Sequence, residues 1–150
     1  WTCLCATDSG ARIPALKFFK SFAEKHEGQL RVTVTGRSKG GGDSSGGWRG
    51  YLAEMGTHKF VASPEGNGAD CHRTWEALML GCIPIVKRTY MGQGLYDGLP
   101  VLYVTDWNHI TPELLESEWK KYVEAPPGTY EWERLFAPYW VKRIKHSVIS

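Results

Sequence analysis

Apolar positions along the chain follow two rhythms, short runs bounded by turn residues and longer stretches with helical spacing, and together they predict an order of elements. Trp1 to Thr7 reads as a first strand. Asp8-Ser9-Gly10 makes a turn that also supplies an N-cap, and a helix follows from about Ala11 to His26, with Ile13, Leu16, Phe19, Phe22 and Ala23 at helical spacing. Pro14 falls in its first turn, where a missing N–H costs little, and Gly28 closes it. Leu30 to Val34 is a second strand. Strand, turn, helix and strand within about 30 residues make a βαβ unit with parallel strands.

The pattern then repeats. Trp48 to Met55 predicts a short helix with Gly56 as its stop, and Lys59 to Ala62 a strand that the turn-forming run Ser63-Pro64-Glu65-Gly66-Asn67-Gly68 ends. Asp70 is placed to cap a helix from Cys71 to Leu80, with Trp75, Leu78 and Met79 on one side and Gly81 as the left-handed residue after it. Cys82 to Val86 and Leu99 to Val104 read as buried strands. Thr111 caps the next helix, with Pro112 at its first position and Leu114, Leu115, Trp119 and Tyr122 to pack on the way to Val123. Ala125-Pro126-Pro127-Gly128 breaks the chain, and Tyr130 to Ile149 reads as two short aromatic helical pieces around Pro138. Trp132, Phe136, Trp140, Val141 and Ile144 are available there for core or inter-domain packing. Three or more βα units with apolar strands predict an α/β fold: a Rossmann-like, doubly wound, mostly parallel sheet of about five strands, with helices on both faces and a helical C-terminus.

Composition narrows the function classes. At 150 residues the chain is one domain, long enough for a core without disulfide staples. It starts at Trp1 with no charged-then-apolar leader and holds no apolar run near the ~18–20 residues of a membrane span, which fits an excised domain. A net charge of +2 from 18 basic and 16 acidic residues is too balanced for a nucleic-acid or anionic-membrane binder, so any anion recognition must be local. Cys3, Cys5, Cys71 and Cys82 show no C-x-x-C spacing and no pairing with the five histidines, which argues against structural zinc. Reduced, buried thiols are expected, with a slight preference for a cytoplasmic setting.

The chemistry concentrates after the third strand. A glycine loop feeding a helix N-terminus, here Ser63, Gly66, Asn67 and Gly68 ahead of Asp70, turns backbone N–H groups toward one spot and suits a phosphate. Arg73 and Glu76 are three apart and share a helix face near its positive end. There an arginine can fork onto a diphosphate while a glutamate accepts from ribose hydroxyls; a plain surface ion pair explains the spacing equally well. Arg12, at the start of the first helix, offers a second phosphate contact, although a solvated side chain is the simpler expectation. Lys87 and Arg88 invite the same pair of readings. His58 has no carboxylate partner visible in the sequence and reads as structural rather than as an acid or base. The glycine-rich run Gly36 to Gly47 lacks the Gly-Lys-Ser/Thr of a P-loop and is expected to be a mobile rim of the site or an inert insertion.

The run HKFVASPEGNGADCHRTWEALMLGCIPIVKR, with LYDGLPVLYVTDW after it, resembles the donor-binding part of exostosin-like glycosyltransferases and, more distantly, that of α1,3-fucosyltransferases. The likeness is dense from His58 to Trp107, about a third of the chain, and thin elsewhere. It implies a GT-B arrangement of two Rossmann-like domains, of which this is the C-terminal, nucleotide-sugar-binding one. The family's R..EAL..G core falls on Arg73, Glu76, Ala77, Leu78 and Gly81, and its Ser-Pro-x-Gly loop on Ser63, Pro64 and Gly66. The implied partners are a nucleotide diphosphate sugar as donor, a hydroxyl acceptor, by family precedent a glycan, and an N-terminal domain of the same protein that supplies the acceptor side. The chain contains no Asp-x-Asp triad, so transfer without a metal or other cofactor is expected. The alternatives are a non-catalytic nucleotide- or carbohydrate-binding module and an unrelated phosphate-dependent Rossmann enzyme.

Overall fold

A computed structural model describes residues 2–7, 12–28, 31–36, 47–66, 68, 70–89 and 94–149. Five strands, β1 (Thr2–Thr7), β2 (Arg31–Gly36), β3 (Phe60–Ala62), β4 (Ile83–Lys87) and β5 (Leu102–Val104), form one sheet in the order β2-β1-β3-β4-β5. Every pairing in it is parallel. The helices are α1 (Arg12–Lys25), α2 (Gly47–Gly56), α3 (His72–Met79), α4 (Pro112–Val123) and α5 (Ala137–Ile149). The α/β character, the parallel sheet and the helical C-terminus are as read from the sequence.

β3 lies in the middle of the sheet and is buried on both sides, Phe60, Val61 and Ala62 all fully. Because side chains alternate along a strand, the two sides face different helices. Phe60 and Ala62 join Ala15, Phe19 and Phe22 of α1, Leu115 of α4, and Ile83, Ile85, Leu102 and Val104 in the larger cluster. Val61 meets Met55 of α2 and Ala77 of α3 on the other side. Each fully buried aromatic or aliphatic side chain of this kind contributes about 1.5–3 kcal/mol.

The buried stripe of α1 is Ala15, Phe19 and Phe22, spaced i, i+4, i+7, and Ile13, expected on it, is half exposed because it falls off that line. α3 buries Arg73, Thr74, Ala77 and Leu78, which turns Met79 outward at 61% exposure, against expectation. Thr111 caps α4 as predicted, its Oγ1 accepting from the Leu114 N–H at 3.2 Å, with Pro112 following. Gly28 and Gly81 end their helices at φ of 84° and 75°, a region closed to most side chains.

After a 3-10 turn at Trp132–Leu135, α5 continues through Pro138, which sits in its first turn. Trp140 is tied in, its indole donating to the Arg134 carbonyl at 2.8 Å and its ring edge-on to Trp75 at 6.3 Å. Phe136, Val141 and Ile144 stay exposed and add nothing to the core. No helix among the described residues is long and apolar enough to cross a membrane. Most of the glycine-rich run, 37–46, lies outside the described residues.

Candidate functional site

The sheet order reverses between β1 and β3. β1 leads through α1 to β2 on one side, and β3 leads through α3 to β4 on the other. Where neighbouring parallel strands send the chain opposite ways, their carboxyl ends part and leave a crevice, the usual ligand position in open α/β sheets. Arg12 arrives there at the start of α1, and the segment from Ser63 to Arg73 arrives from β3.

Arg12 is not the solvated side chain expected. Its Nε is buried without a hydrogen-bond partner among the described residues, and its Nη2 lies 3.0 Å from where a side chain on Gly66 would begin. Glycine at 66 therefore serves a close approach rather than a special backbone angle; neither Gly66 nor Gly68 is among the glycines at positive φ. The loop after β3 thus meets the start of α1, a juxtaposition that sequence spacing does not reveal.

Within that loop, polar groups expected to face a phosphate bond to the protein instead. The Ser63 hydroxyl is buried and shares a 2.8 Å hydrogen bond with Thr74 Oγ1, while its N–H donates to the Ile85 carbonyl at 2.9 Å. The Gly66 N–H donates to the Gly68 carbonyl at 3.3 Å, which turns it into the loop. Gly68 is exposed, and Asn67 lies outside the described residues.

Asp70 is not the cap of α3. The helix starts at His72, so the capping position is Cys71, which makes no side-chain cap; the Thr74 N–H bonds to its carbonyl at 2.9 Å. The Asp70 Oδ1 accepts instead from the Trp75 indole at 2.7 Å and from the Tyr96 hydroxyl at 2.8 Å. Tyr96 is almost fully buried, and a buried phenol needs an acceptor. Burial, with the Asp70 carboxylate beside it, raises its pKa and keeps the proton in that bond.

Arg73 lies on the inner face of α3 at 9% exposure. Its Nε donates to the Tyr51 hydroxyl of α2 at 3.1 Å, and its Nη1 is buried with no partner among the described residues. No ion pair joins it to Glu76 among the described residues, so the surface-pair reading of their spacing is corrected: one partner is inside. Glu76 is half-buried nearby, and its charge reaches Tyr51. Burial raises the Tyr51 pKa, Arg73 opposes that, and Glu76 adds to it. Tyr51 is the residue that sequence reasoning missed. Its place four residues before Met55 puts it on the sheet-facing side of α2, but nothing local pairs it with a residue 22 positions on.

The remaining candidates fall into place around this centre. The Arg88 guanidinium lies 5.2 Å above the Tyr103 ring, and Lys87 is half-buried at the end of β4. Cys71 and Cys82 are free and buried, and burial pushes the Cys82 thiol up to about 11. Among the described residues no group of three His, Cys, Asp or Glu side chains is placed to hold a metal ion. What the arrangement offers is cationic: two guanidiniums, one at the start of α1 and one in the first turn of α3, each with a buried N–H that no described group accepts. No protein-family model matches the chain, and none of the curated proteins does.

Proposed function

We propose that this chain is the donor-binding half of an exostosin-like glycosyltransferase of the GT-B type, a Rossmann-like doubly wound domain that holds a nucleotide diphosphate sugar and passes the sugar to a hydroxyl acceptor, a glycan, without a metal. The observation that carries it is the pair of unpartnered guanidinium nitrogens, Arg12 Nε and Arg73 Nη1, at the point where the sheet order reverses. A buried polar group without a partner costs free energy that selection ordinarily removes, and a phosphate is the partner that fits guanidinium. The resemblance over His58 to Trp107, with its Arg73 and Glu76 correspondence, supports reading that phosphate as part of a nucleotide sugar.

In this reading Arg73 and Arg12 accept the charge that gathers on the diphosphate as it leaves, and Glu76 accepts from the ribose hydroxyls. The acceptor side belongs to the N-terminal domain. Ser63 and Gly66 serve the architecture of the loop, since their described hydrogen bonds are internal. Isothermal calorimetry with UDP, GDP and ADP in the presence of a chelator tests the reading. At least one nucleotide binds; binding to none, or only after a divalent ion is restored, would sink the metal-free donor pocket.

A further inference from the structure

We infer that Tyr51 is a positioning residue that selects how Arg73 grips a phosphate. The inference rests on reading Arg73 as a phosphate ligand and adds the residue that aims it. A guanidinium can fork onto two oxygens through its Nε and Nη2 side or through its Nη1 and Nη2 end. In this protein the first mode is closed, because Nε already donates to the Tyr51 hydroxyl at 3.1 Å. The second remains, and Nη1 is the buried nitrogen that lacks a partner.

Tyr51 suits the task for three reasons. It sits on α2, a different element from Arg73, so the bond pins the guanidinium plane to the rest of the fold rather than to its own helix. Its ring packs against the cluster of Met55, Val61, Ala77 and Cys82, which holds the hydroxyl in place. It also stays protonated, so its oxygen can accept from Nε without the charge of a carboxylate, and Arg73 keeps its net positive charge for a ligand. An aspartate or glutamate at the same place would give a stronger bond and cancel the charge that an anion needs. α2 contributes no ligand group in the proposed site, yet through Tyr51 it sets the direction of the central one.

The test is a double-mutant cycle read by calorimetry with inorganic pyrophosphate, using Tyr51→Phe, Arg73→Lys and the combined variant, with thermal melting of each to confirm folding. Phenylalanine keeps the packed ring and removes only the hydroxyl. Tyr51→Phe is expected to weaken pyrophosphate roughly three- to tenfold, the range of one lost hydrogen bond. In the Arg73→Lys background, where there is no Nε to orient, the same change is expected to alter affinity by less than about twofold. An equal loss in both backgrounds, or no loss in the wild-type background, would overturn the inference while leaving Arg73 as a ligand. Failure of the unmutated protein to bind pyrophosphate would overturn the donor-site reading and this inference with it. A ligand-independent check is the Nε–H resonance of Arg73: slow exchange with water in the unmutated protein and fast exchange in Tyr51→Phe is expected, and equal exchange in the two would contradict the bond's role.

Discussion

The two ends of the sheet handle charged and polar side chains in opposite ways. At the amino end, His58 is buried and fully engaged: its Nδ1 lies 2.7 Å from the Glu54 carbonyl, which only accepts, so the proton sits there and Nε2 accepts from the Thr33 hydroxyl at 3.0 Å. The Glu54 carboxylate, 3.7 Å from His58 Nε2, takes a 2.9 Å hydrogen bond from Arg31. The described partners of the His58 ring are the Glu54 carbonyl and the hydroxyls of Thr33 and Thr57, none of which the sequence pointed to. At the carboxyl end, Arg12 and Arg73 each keep a buried N–H that no described group accepts. The contrast separates polar residues whose hydrogen bonds are met within the fold from two guanidiniums with a buried N–H that no described group accepts. It also predicts that substitutions at the two ends act on different quantities.

The largest effect belongs to Arg73. Arg73→Ala removes charged hydrogen bonds of roughly 1.5–3 kcal/mol, so affinity for a nucleoside diphosphate falls about ten- to a hundredfold in calorimetry. Arg73→Lys recovers part of the loss, since a point charge cannot fork onto two oxygens.

His58 gives the mirror image. His58→Ala strands the groups that bond to it and costs about 1–3 kcal/mol in urea unfolding, with nucleotide affinity unchanged. Burial lowers the folded His58 pKa below its ordinary 6.5. The unfolded chain therefore takes up a proton first as pH falls, so the stability His58 contributes is complete above about pH 6.5 and is lost as pH drops through the lowered folded value. Urea midpoints from about pH 7.5 to about pH 5 should fall more steeply in the unmutated protein than in His58→Ala.

Glu76→Gln is the smallest and most selective change. It weakens nucleoside diphosphates by roughly three- to tenfold but leaves inorganic pyrophosphate unaffected, because only the former carries a ribose. Equal weakening of both would remove the ribose role from Glu76.

The helix ends and the order of the elements were legible because their signals are local. Thr111-Pro112 starts α4, and Gly28 and Gly81 stop helices at positive φ, each within one turn of the residues it affects. Arg73 and Arg12 were legible as residue types at the right edge of the sheet. Their environments were not, because those depend on contacts across the chain: Tyr51 with Arg73, Gly66 with Arg12, and Tyr96 with Asp70. Asp70 shows the limit plainly. As a residue before a helix it reads as a cap, and a buried phenol 26 residues later claims the oxygen. The faces of α1 and α3 slipped for a related reason, since several stripes of helical spacing were available and only the packed sheet decides which is buried.

In the proposed reading the Arg73 guanidinium is held for a ligand and not for the fold. Thermal melting of the unmutated protein and of Arg73→Met, each with and without pyrophosphate, tests this most directly. Methionine fills similar space without an unpartnered buried charge, so the variant alone should melt at or above the unmutated protein. Pyrophosphate at about a hundred times its dissociation constant should raise the unmutated protein by about 5–10 °C and leave the variant near its own value. Melting of Arg73→Met well below the unmutated protein without ligand, together with an equal response of the two to pyrophosphate, would show that Arg73 is a structural residue and contradict the account.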